Sequence, residues 1–139
     1  MALAHLPEIN DMTSKIIAAA ITVHRSLGPG LLESVYQACL THELRKAGLM
    51  LETQQAIPVF YDGVQSDCGF RAVLIVAKTV VVEVKAVSQF APIHRAQVLT
   101  YLKLTCCPAG LLINFNVPVL KQGITRVLHT PDRRESVGT

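Results

Sequence analysis

With 139 residues, half of them hydrophobic, and a mean hydropathy of +0.38, the chain has the size and apolar content of one folded domain, expected over residues 1–130, and not of two. Arg71, Lys78, Glu83 and Lys85 interrupt its most hydrophobic region, so no stretch nears the roughly 20 apolar residues of a membrane span, and Met1 to Glu8 lacks the basic start and apolar run of a secretory signal, which points to the cytoplasm. A net charge of +3 admits an anionic partner without the dense basic stripe that would indicate nucleic acid unaided.

Ile9, Met12, Ile16, Ile17, Ala20, Val23 and Leu27 recur at three- and four-residue intervals and predict an amphipathic helix from Glu8 to Ser26, ended by Gly28-Pro29-Gly30. A second helix is expected from Leu31 or Leu32 to Ala47, with Val35, Cys39, Leu40 and Leu44 inward and Gly48 as its stop. Ile57 to Tyr61 followed by Asp62-Gly63 reads as a strand and a tight turn, with Pro58 marking an edge position or a strand start. Two longer strands, Gly69 to Val76 and Val80 to Val87, form a hairpin through Ala77-Lys78-Thr79, a turn of poor composition.

Pro92 suits the start of a helix running from Ile93 to Thr105, and Pro108 follows its end. Gly110 to Phe115 reads as a buried strand, parallel to Val80–Val87 because a helix makes the crossover. A last strand spans Ile124 to Leu128, and a mobile polar tail is expected over residues 131–139. The order of elements predicts a mixed α/β fold around a central sheet. Cys39, Cys68, Cys106 and Cys107 lack the C-x-x-C spacing of a zinc site and read as reduced, mostly packed thiols.

Glu83 and Lys85 are out of place in the apolar run Val80 to Val87. Strand alternation puts them on one face with Val81 and Val87, while Val80, Val82, Val84 and Ala86 line the other. Lys and Glu are seldom buried unless paired or coordinated, so the pair marks either a cleft that uses both charges or an ion pair on a solvated strand face. With three residues in the turn, Val76 faces Val80, Val73 faces Glu83 and Arg71 faces Lys85. A metal held by oxygen ligands calls for a second acid at the position of Val73.

On the following helix His94, Gln97 and Tyr101 fall at i, i+3 and i+7 on one face, either toward the Glu83–Lys85 cleft or solvated. Glu33 and Tyr36 lie one turn apart on the second helix, where a first-turn glutamate is also favoured by the helix dipole. His24 falls near an apolar stripe and reads as a satisfied packing histidine.

Val23-His24-Arg25-Ser26-Leu27-Gly28-Pro29-Gly30-Leu31-Leu32-Glu33-Ser34-Val35-Tyr36, Val82-Glu83-Val84-Lys85-Ala86, Pro92 to Leu102 and Gly110 to Asn116 together resemble the GxxExxY protein family, a branch of the PD-(D/E)XK nuclease-like superfamily. The resemblance covers nearly the whole chain. It implies a restriction-endonuclease-like core, a central mixed sheet flanked by helices, and Mg²⁺- or Mn²⁺-dependent hydrolysis of phosphodiester bonds in nucleic acid, DNA foremost. Glu83 and the carbonyl of Val84 would be metal ligands, and Lys85 would orient or activate water. Gln97 and Tyr101 match a Q-x-x-x-Y element, Glu33 would complete an acidic rim, and Tyr101, His94, Arg95 and Arg71 would face nucleic acid.

One residue departs from the family's pattern. Where it reads Arg-Ala-Asp-Leu, this chain has Arg71-Ala72-Val73-Leu74. An isopropyl group cannot coordinate, so weak metal binding and impaired cleavage are expected unless Asp62 or Asp67 substitutes through a bulge. The alternative is an inactive nuclease-fold module that binds nucleic acid or a protein partner, with a homodimer as one form.

Overall fold

A computed structural model describes residues 6–54, 59–66 and 73–130. Arg71, Asp67, Cys68 and the tail 131–139 lie outside the described residues. Helix α1 (Leu6–Leu27) buries Ile9, Thr13, Ile16, Ala19, Ala20, Val23 and His24; of the stripe that the spacing predicts, Ile9, Ile16, Ala20 and Val23 are buried, Met12 and Ile17 are half-buried, and Leu27, at the last position of the helix, is exposed. Thr13 satisfies its hydroxyl on the carbonyl of Asn10 at 3.2 Å. Helix α2 (Glu33–Lys46) differs from expectation in the face it buries. Tyr36, Leu40 and Leu44 point inward, Cys39 is half-buried, and Val35 is exposed. Burying Tyr36 in place of Val35 covers more apolar area. It also lets the phenol hydroxyl donate to the carbonyl of Gly28 at 2.6 Å and accept from the amide of Leu31 at 3.1 Å. Gly48, at φ 81, ends α2 as expected, with the amide of Leu49 donating back to the carbonyl of Leu44 at 3.1 Å.

The strands are β1 (Leu51–Gln54), β2 (Val59–Tyr61), β3 (Val64–Ser66), β4 (Val73–Val76), β5 (Val80–Lys85), β6 (Ala109–Asn114) and β7 (Ile124–Leu128), with helix α3 (Pro92–Thr105) between β5 and β6. Five of them form one sheet in the order β1-β4-β5-β6-β7, and β2 and β3 form a separate two-stranded sheet. β5 and β6 run parallel, as the crossover helix requires, and the other neighbours are antiparallel. The β4–β5 register pairs Val76 with Val80 and Leu74 with Val82, as the three-residue turn predicts. That turn puts Ala77 and Lys78 at φ 52 and 56, a conformation that glycine or asparagine would adopt more readily; the hydroxyl of Thr79 supports it by donating to the carbonyl of Ala77 at 2.9 Å.

The sheet separates two cores. On one face Val80, Val82, Val84, Leu74, Val76, Leu111, Ile113 and Phe115 pack with the buried stripes of α1 and α2. On the other, Ile75, Val81, Leu112 and Val127 pack with Val98, Tyr101 and Leu102 of α3. β5 and β6 are buried along their full length, as expected for central parallel strands covered on both sides. α3 sits so close that a Cβ at Gly110 would come within 2.6 Å of a Val98 methyl. No helix among the described residues is long and apolar enough to cross a membrane.

Candidate active site

Alternation along β5 carries Val80, Val82 and Val84 toward α1 and α2, and Val81 toward α3; Glu83 and Lys85 therefore share the α3 face. Both are buried, Glu83 to 4% and Lys85 to 1% residual exposure, which rules out a pair on a solvated strand face. Lys85 Nζ lies 2.9 Å from Glu83 Oε1. Taking two charges out of water costs several kcal/mol per ion, and contact of this kind is what offsets it.

The end of β5 is fixed from several sides. Asn114, in register with Lys85 on β6 and buried, accepts from the amide of Val87 at 3.0 Å and donates to the same residue's carbonyl at 2.9 Å. Its Oδ1 also accepts from the amide of Asn116 at 3.1 Å. The amide of Phe115 donates to the carbonyl of Lys85 at 2.9 Å, and the Phe115 ring stacks on Tyr36 with centroids 4.6 Å apart. His24 donates from Nε2 to the carbonyl of Val117 at 2.8 Å, the packing role expected of it. Tyr36 and Asn114 are thus residues whose importance the sequence showed only as letters in a motif. An amide side chain at the end of an apolar strand run is the signal that could have singled out Asn114.

The other predicted residues divide between the two layers. α3 brings Tyr101 into the core on the Glu83 face, buried to 2%, so contact with a ligand is not open to its ring. Gln97, on the same helix, has a buried Oε1 with no hydrogen-bond partner among the described residues, an acceptor that costs about 1–3 kcal/mol to leave unsatisfied. His94 is half-buried; its Nδ1 accepts from the amide of Ala91 at 3.0 Å and its ring meets Phe90 edge-on, so it caps the start of α3. Arg95 is exposed. Glu33 stands in α2, whose core lies across the sheet from Glu83 and Lys85; it lines a shallow depression with Leu32, Ser34, Gln37, Thr41 and Arg45.

Position 73 begins β4, one step beyond the Leu74–Val82 pair and so at the level of Glu83. Asp62 is an exposed turn residue between β2 and β3. Of the described cysteines, all free, Cys107 is buried and Cys39 packs against the core, as expected of mostly packed thiols, while Cys106 is exposed. Cys106 takes the left-handed conformation at φ 60, which ends α3 and turns its side chain out of the core.

A mixed sheet covered by helices on both faces, with an acid-x-lysine at the carboxyl end of a central strand, defines the restriction-endonuclease-like class of nuclease folds. The family model of the PD-(D/E)XK nuclease superfamily matches residues 10–127, and the chain belongs to that superfamily. No curated protein and no solved structure matches it.

Nucleases of this superfamily generally use divalent metals, and the donor set here can be tested against that requirement. Mg²⁺ takes near-octahedral oxygen coordination, usually through one or two carboxylates. Among the described residues no three His, Cys, Asp or Glu side chains gather into a group that could hold a metal ion. Glu83 has one oxygen engaged by the Lys85 ammonium. The described residues thus offer Mg²⁺ the Glu83 carboxylate, one oxygen of which Lys85 already holds.

Proposed function

We propose that this chain is a member of the GxxExxY branch that engages nucleic acid, DNA foremost, through a nuclease fold whose Mg²⁺-dependent hydrolysis of phosphodiester bonds is impaired by Val73. The observation that carries this reading is the buried Glu83–Lys85 pair at 2.9 Å, at the level of a β4 position that is valine where the family has aspartate. Any metal, Mg²⁺ or Mn²⁺, is bound weakly through Glu83 and the carbonyl of Val84. Gln97 supplies a buried acceptor on the same face, Tyr101 supports it from the core, and Arg95 and Arg71 are the cations offered to phosphate. Glu33, on the helix across the sheet, is given no part in this site, and residues 1–130 are assigned to one cytoplasmic domain.

The test compares the unmodified chain with Val73→Asp on single- and double-stranded DNA and RNA, with Mg²⁺ or Mn²⁺. Little or no cleavage by the unmodified chain, and cleavage restored by Val73→Asp, is the expected result. Robust cleavage by the unmodified chain that disappears in Glu83→Ala would overturn the impairment. If Val73→Asp binds metal yet cleaves nothing, the inactive module becomes the better reading. Affinity across a salt series then separates its partners: nucleic acid binding weakens as salt rises, because phosphate contacts release counterions, and its absence leaves a protein partner or a homodimer.

A further inference from the structure

The first turn of α3 is closed by a side chain that titrates. Ala91, at the N-cap, has no side-chain oxygen to offer the turn, and Pro92 brings no N–H to it. Two bonds between Ala91 and His94 tie the turn instead. The His94 amide donates to the Ala91 carbonyl at 3.0 Å, and the Ala91 amide donates to Nδ1 of the His94 ring at 3.0 Å. The second bond is the return half of a capping box, in which glutamate or glutamine ordinarily reaches back to the N-cap amide. Histidine differs from both, because an imidazole takes up its proton between about pH 5 and 8.

A ring nitrogen accepts a hydrogen bond only while it carries no proton. In the imidazolium both nitrogens are donors, so a proton on Nδ1 and the bond from the Ala91 amide exclude each other. The bond therefore fixes the neutral tautomer with its proton on Nε2. The surroundings do little for the charged ring. α3 has no acid in its first turn, and its other titratable groups are Arg95, Tyr101 and Lys103. Of the strands packed against it, β5 carries Glu83 and Lys85, in contact with each other, β7 carries Arg126, hydrogen-bonded to Asn10, and β6 carries no charged residue. Segment 86–91 carries none either. An imidazolium here stands at the positive end of the helix dipole.

The turn bears on the site through Phe90. That residue packs against the core that α3 forms on the Glu83 face of the sheet, and the His94 ring meets it edge-on with centroids 5.9 Å apart. Tying Ala91 to His94 thus holds its neighbour Phe90 in place, one turn before Gln97 and its buried Oε1.

We propose that His94 is a pH-sensitive latch: as the neutral imidazole it closes the first turn of α3 and keeps Phe90 on the core, and when Nδ1 takes a proton from solvent it releases both, opening that end of the cover over Glu83 and Lys85.

The experiment follows an isotopically labelled chain by nuclear magnetic resonance through the imidazole range. It reads the protonation of the His94 ring, the protection of the Ala91 amide against hydrogen exchange relative to its intrinsic rate, and the ring signals of Phe90. At about pH 8 Nδ1 should be unprotonated and the Ala91 amide protected; at about pH 5 that protection should be about fivefold lower, the factor one lost hydrogen bond allows. The Phe90 signals should shift with the same midpoint. His94→Gln keeps the acceptor of a capping box without the titration and should leave Ala91 protected across the range, whereas His94→Ala should leave it unprotected throughout. A protonated Nδ1 at the alkaline end, or Ala91 protection that stays level while the ring titrates, overturns the latch. So does the same pH dependence in His94→Gln, which assigns the change to another group. Phe90 signals that stay fixed while Ala91 loses protection overturn the opening of the cover.

Discussion

Lys85→Met and Glu83→Met, singly and together, test the buried pair. Lys85 Nζ and Glu83 Oε1 are 2.9 Å apart, and at an effective dielectric constant of about 20 the attraction between unit charges at that distance is about 6 kcal/mol. Desolvation costs several kcal/mol for each ion, so the two terms nearly cancel and the intact pair contributes little net stability. Removing one partner leaves the other's desolvation uncompensated, and each single variant should lose about 3–5 kcal/mol. The double variant exchanges both charges for apolar chains of similar volume and should lie within about 1 kcal/mol of the unmodified protein, or above it. Urea unfolding of the four proteins, with constant m-values, gives the cycle directly, and a coupling of at least about 5 kcal/mol is expected. Single variants that each lose less than about 1 kcal/mol, and whose effects add, would mean that the pair is solvated and that the site as described is wrong.

Gly123→Ala should destabilise the protein by about 3 kcal/mol in the same urea assay, because a Cβ at Gly123 would run into the backbone carbonyl oxygen of Asn114, which cannot move without dragging the clamp on Val87. Burial pushes the Cys107 thiol above its ordinary value of 9.0, against a smaller opposing pull from a hydrogen bond with the Thr105 side chain. Unfolding then releases the thiol proton more readily than the fold does, so this contribution to stability is complete below 9.0 and is lost as pH rises through the folded value. The stability difference between the unmodified protein and Cys107→Ala should accordingly shrink at alkaline pH, and a constant difference would refute the burial of that thiol.

The parts of the fold that were legible are those where periodicity and chain breaks agree. Ile9, Ile16, Ala20 and Val23 of the α1 stripe, the Val76–Val80 register, Pro92 at the start of α3 and the β5–β6 crossover all follow from spacing, and the structure has them. β1 was missed because Leu51-Glu52-Thr53-Gln54 is a short edge strand with little alternation, stabilised by its pairing with β4 and not by its own pattern. β3 was missed because three residues, Val64–Ser66, carry almost no periodic signal. The burial of Val35 was misread because a helical stripe defined by apolar letters ranked valine above tyrosine, and only the loop at Gly28 and Leu31 supplies the partners that let Tyr36 turn inward. Glu83 and Lys85 were visible as charges in an apolar strand; that both are sealed under α3 required the packing of Val98, Tyr101 and Leu102 onto the sheet.

The machinery that fixes the end of β5 does not depend on residue 73. The Asn114 clamp on Val87, the Phe115 amide on the Lys85 carbonyl and the Phe115–Tyr36 stack draw on β6, α2 and backbone groups. On the proposed reading this explains how the site geometry persists without a second acid. An aspartate at position 73 together with Glu83 would give, with Lys85, a local charge of −1, and a divalent cation would be drawn to it. With valine there the local sum is zero, and a cation must compete with an ammonium already in contact with Glu83 Oε1. The same substitution therefore removes a ligand and strengthens the hold of Lys85 on the carboxylate that remains. Val73→Asp reverses both effects in one step, which makes it the substitution from which recovery of metal binding is expected.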